Sequence, residues 1–183
     1  MTVQVDAPLH APVASRSALI GAAAVGVCAV WSAAVWTAAH LRADPLLHDV
    51  ALFAHLASLV LGFGAVLTVD WLGLLWLLGR RSLPEVLRTA DAVHLPIWLG
   101  LAGLVGSGVL LHPDPGSPLT QVKLGLVLMV ALNGVHAWTL RPRLAALAVP
   151  VARRLVVRCA STVALSQLGW WGATVIGFLN SRR

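Results

Sequence analysis

Asp70 sits well inside an otherwise uncharged apolar run from Val50 to Gly79. An ionised carboxylate in such surroundings needs a partner, and an acid inside a bilayer defaults to a functional role such as proton relay or ligand orientation. Histidines stand near the ends of several other apolar runs: His55, His94, His112 and His136, with Lys123 at the mouth of another. Neutral imidazoles on facing helices are the usual axial ligands of a haem lying between them, and a pair near each membrane surface would carry electrons across the bilayer. The same side chains suit first-row metal ions, with copper the candidate for His-only sites. Met1 and Met129 are the only methionines, so a soft thioether site has no support. The candidate site residues are therefore Asp70 and Lys123 for catalysis and His55, His94 and His136 for a cofactor. A metal would draw on His55, His94, His136 and His112. His40 and His48 lie near headgroups, where an imidazole is comfortable without a ligand, and Asn133 and Gln167 suit interhelical hydrogen bonds.

The elements that position these groups follow from composition. Hydrophobic residues make up 58% of 183 and charged residues 11%, too little polar surface to cover a soluble domain of this size. Five apolar segments run Ser17 to Leu41, Val50 to Gly79, Ala92 to Pro113, Leu124 to Leu140 and Cys159 to Ser181. Each makes a helix of about 25 Å or more, enough for a hydrocarbon core of roughly 30 Å. The expected fold is all-α, a polytopic membrane bundle of five transmembrane helices with a four-helix core and an N-terminal helix alongside. Residues 1–16 read as a disordered cytoplasmic tail and 17–183 as one transmembrane domain. The first segment exceeds a signal peptide's apolar length and reads as a retained helix. Gly100, Gly103, Gly106, Ser107 and Gly108 crowd the third segment and Gly62 and Gly64 sit in the second, which predicts close helix approach there.

With the N-terminus inside, nine of the thirteen Lys and Arg fall on the inner side, which points to a cell-membrane protein with a cytoplasmic N-terminus. The net charge of +6 lies between apolar segments, a pattern for topology and anionic lipid and not for nucleic acid. Eight tryptophans fit an interfacial belt, although Trp98 and the Trp170–Trp171 pair fall deeper. Cys28 and Cys159 stand at different depths, too far apart for a disulfide.

Depth and azimuth sort the polar residues. Counted from segment midpoints, His55 lies about 13 Å towards the outer side, near Lys123, His112 and His40, while Asp70, His94 and His136 lie roughly 9 to 12 Å towards the inner side. His94 and His112 are five full turns apart on one face, whereas Lys123 and His136 diverge by about 140°. The inner haem pair is expected to be His94 and His136, with Lys123 outside, or Arg88 and Arg141 inside, neutralising propionates.

Three segments carry a resemblance: HLASLVLGFGAVLTVDW from His55, HLPIWLGLAGLVGSGVLL from His94, and QVKLGLVLMVALNGVHAWTLRPRL from Gln121 to Leu144. This pattern resembles the superfamily joining HemJ-type protoporphyrinogen oxidases and CopD-type copper-resistance membrane proteins, over the second to fifth helices. The resemblance implies b-type haem at His55 and an active-site role for Lys123. The first segment has no counterpart in the four-helix HemJ plan.

The expected function is thus a b-haem membrane protein performing electron transfer or membrane-embedded oxidation. The alternatives are a CopD-like copper or ion transporter, or a structural subunit of a larger membrane complex. Partners are the lipid bilayer and a redox partner or that larger complex.

Overall fold

A computed structural model describes residues 15–145 and 153–181, all of whose regular elements are helices. The N-terminal tail, the middle of the connection before the last helix and the two terminal arginines lie outside the described residues. The elements are α1 (Arg16–His40), α2 (Pro45–Leu77), α3 (Leu83–Ala92), α4 (His94–Val109), α5 (Pro118–Ala145) and α6 (Arg153–Asn180). Four of them are each long and apolar enough to cross a membrane; α3 and α4, bent by 43° at a short break, pass the same test only as a pair, which gives four or five spans where five are expected.

Local chemistry sets the helix starts. Ser15 caps α1, its hydroxyl accepting from the Ala18 N–H. Asp44 caps α2 by accepting from the Leu47 N–H at 2.9 Å, with Pro45 at the first helical position, where its missing N–H costs nothing. Gly79 turns the chain after α2 in a left-handed conformation, φ 69°, which glycine adopts without steric penalty. Glu85 then accepts from both the N–H and the hydroxyl of Ser82, starting α3. The sequence reading placed a connection here. The short amphipathic α3 is an addition to it, with Val86 turned inward and Glu85 and Arg88 on its polar side.

The core is where α2, α4, α5 and α6 meet: Phe63, Val66, Leu101, Val130, Ala131 and Trp170. The Phe63 and Trp170 rings stack with centroids 5.5 Å apart, and Trp171 meets Phe63 edge-on at 5.0 Å. Trp170 is thus a core residue and not part of an interfacial belt. The first helix lies outside this core, along α5 and α4, tied by the Trp31 indole N–H to the Leu124 carbonyl at 3.2 Å. Large apolar side chains such as Phe53, Val60 and Leu77 point outward, which suits a hydrocarbon solvent.

Small residues let the helices approach. A Cβ on Gly100 would run into the Gly62 backbone, and one on Gly103 would run into the Ser58 hydroxyl, so α2 and α4 cross in near backbone contact. Trp98 lies across Gly134, and Val130 fills the space over Gly169, closing the α4/α5 and α5/α6 seams. Gly64 and Gly106 face open space and take no part.

Candidate functional site at the His55 end of the bundle

The α2/α4 crossing places His55 against α4. Its imidazole lies over Gly108, where a Cβ would come within 3.6 Å of the ring, and its Nδ1 is 2.9 Å from the Ser107 hydroxyl. Ser107 is buried, and its hydroxyl donates to the Gly103 carbonyl one turn back. The Leu104 backbone also hydrogen-bonds the ring, so α4 orients the His55 imidazole through both a side chain and its main chain. An imidazole oriented by neighbouring hydrogen bonds is the arrangement found where histidine ligates iron or another metal. Lys123, half-buried at the start of α5, is near enough to His55 for their charges to interact. His55 of α2 and Ser107 of α4 therefore form one polar locus within an otherwise apolar bundle, with the Lys123 charge of α5 in range of it.

His112 stands at the same end in a different role. Its Nε2 accepts from the Ala43 N–H at 2.8 Å, and its ring stacks on His48, 5.5 Å away and nearly parallel. His112 also holds a left-handed backbone, φ 49°, uncommon for a residue with a Cβ. The lone pair expected to bind a metal is here engaged in joining the α1–α2 and α4–α5 connections. His40 is satisfied locally, through Nδ1 and the Trp36 carbonyl at 2.7 Å and by stacking on the Trp36 ring.

At the opposite end the polar residues disperse. Asp70 is about 22 Å along α2 from His55, so the two do not share a site. Its carboxylate accepts from the Gln167 side-chain N–H of α6. The Trp171 indole, which can only donate, binds the Gln167 carbonyl at 3.1 Å and so turns the amide's N–H towards Asp70. Asp70 is thus paired inside the bundle as its depth demands, and its partner is Gln167. His94 meets Trp98 edge-on and lines a cleft of about 160 Å³ between α1, α4 and α5, together with Val27 and Trp138. His136 lines another space, a groove of about 410 Å³ along α5 and α6. The inner pair expected to share one haem therefore faces two separate spaces on different sides of α5. The His94 cleft is also smaller than the several hundred Å³ usual for cofactor sites, and His55 lines neither space. Asn133 makes the expected interhelical bond, donating to the Thr162 carbonyl at 2.8 Å.

Among the described residues, no three His, Cys, Asp or Glu side chains converge as a metal site would require. Cys28 and Cys159 are both free thiols. The sequence reading missed Ser107 as a partner of His55 and took it for a packing residue. A lone hydroxyl in a glycine-rich apolar helix was the available signal, because in lipid it must find an acceptor. No protein-family model, curated protein or solved structure matches this chain.

Proposed function

We propose that this multi-pass membrane protein binds b-type haem through His55 and serves electron transfer or an oxidation carried out within the membrane. The observation that carries the reading is the His55–Ser107–Gly103 chain of hydrogen bonds, which holds an oriented, half-buried imidazole within a bundle of apolar helices. Haem suits such a site better than copper does. A porphyrin brings four nitrogens of its own and asks the protein for one or two axial ligands, whereas a bare ion needs several side chains to converge. When bound, the haem supplies one-electron chemistry. The Ser107 hydroxyl orients His55, and Lys123 offers a cation for a carboxylate on the ligand. Asp70 contributes an interhelical tie on the other side of the core. The N-terminus faces the cytoplasm in this reading, supported by the arginine distribution.

The test is the absorption spectrum of detergent-purified protein, oxidised and then dithionite-reduced. A red parent whose Soret and α bands vanish in His55→Ala and persist in His94→Ala and His136→Ala is the expected result. A colourless parent, or colour retained by His55→Ala, rejects haem ligation at this site.

A further inference from the structure

The α5/α6 groove plays no part in the His55 reading. Its α5 wall is Gly125, Leu128, Leu132 and His136, recurring every three or four residues, so it follows one stripe of the helix for about 16 Å. Leu165 supplies the α6 wall, and the lining is apolar until its last turn. There Asn133 is committed to the Thr162 carbonyl, and His136 is the remaining polar group.

The two helices run antiparallel: Asn180 at the end of α6 donates to Thr120 at the start of α5, and Asn133 meets Thr162 further along. Three residues beyond Asn133 is His136, and four before Thr162 is Arg158, so these two share a depth. Arg158 and Arg154 precede Leu165 by seven and eleven residues, which puts both within about 20° of its direction around the helix. Both are exposed and stand on the Leu165 stripe of α6, beyond the residues that line the groove. The groove is therefore apolar over about half the thickness of a bilayer core and cationic at one mouth.

We propose that this groove binds one anionic phospholipid, with an acyl chain laid between α5 and α6 and its phosphate held by Arg154, Arg158 and His136. Charge complementarity selects this occupant. A helix from a second copy would leave two guanidinium groups against an apolar surface, whereas a phosphate accepts from both at headgroup depth. The length of the apolar stripe matches one leaflet, and the open space at Gly125 leaves room for the chain.

Native mass spectrometry of the full-length, delipidated protein titrated with phosphatidylglycerol or phosphatidylcholine of identical chains tests this. The parent retains phosphatidylglycerol by about tenfold over phosphatidylcholine, and Arg154→Ala/Arg158→Ala brings the two to parity. Equal retention in the parent, or a preference unchanged in the double variant, overturns the proposal. A Cβ at Gly125 meets nothing within 4 Å, so Gly125→Leu projects its side chain into the groove and lowers retention of both lipids, with Gly125→Ala intermediate. Unchanged retention in Gly125→Leu overturns the chain placement. Loss of a dimer on that substitution, with lipid retention unaffected, gives the groove to a second copy and also overturns it. None of these outcomes depends on haem at His55.

Discussion

His55 and Asp70 look alike in sequence, each a polar residue in one long apolar helix, yet their partners divide their roles. His55 meets a hydroxyl that itself donates to the Gly103 carbonyl, and the consequence is a ring held against α4. Ser107→Ala removes the orienting partner while keeping the ligand, so haem should be retained with about 10- to 100-fold lower affinity, read by haem titration of the apoprotein. Full affinity in Ser107→Ala would show that the hydroxyl serves packing alone. Asp70 instead meets an amide whose orientation Trp171 dictates. Gln167→Leu leaves the acid without its donor and should destabilise the bundle by about 1–3 kcal/mol, whereas Asp70→Asn keeps a carbonyl acceptor and should cost less. Thermal unfolding in detergent ranks the two, and equal losses would contradict the assigned direction of the hydrogen bond.

Among the elements, the α2/α4 pair decides whether the His55 locus forms, because its crossing brings His55 to Ser107. Gly62 and Gly100 meet there with no space for a side chain. Gly100→Ala should therefore cost about 1–3 kcal/mol through overpacking. Gly106→Ala, on the same helix with nothing within 4 Å of its added carbon, should be neutral or stabilising by up to about 1 kcal/mol. Melting temperatures of the two variants check this, and similar losses would remove the crossing as the organising contact. Glycine enrichment announced close approach in this helix, but composition could not distinguish Gly100 from Gly106. That distinction depends on which side of α4 faces α2, a matter of packing.

For the whole molecule, the arginine asymmetry argues for a cytoplasmic N-terminus with the α4–α5 connection outside. In a background lacking Cys28 and Cys159, Ser117→Cys should react with a membrane-impermeant maleimide from outside intact cells. Labelling only after the cells are opened would invert the topology. The bundle also has two chemically unlike ends: His55, His112 and Lys123 gather at one, while Asp70, His94 and His136 at the other face three different surroundings.

Hydropathy alone determined the helical membrane class and the approximate apolar segments, because backbone groups in lipid must pair within their own segment, and the constant rise per residue ordered the polar groups along each helix. Azimuthal counting also separated Lys123 from His136, which stand on divergent sides of α5. Only the tertiary structure decided which residues at one depth meet. His94 and His136 share a level yet line different spaces, and Asp70 pairs with Gln167 across the α2/α6 interface. Depth is a property of one helix, whereas contact depends on the rotation and crossing of two. Those are set by the small-residue seams at Gly62/Gly100 and Gly134/Trp98, whose partners lie tens of residues apart in the chain.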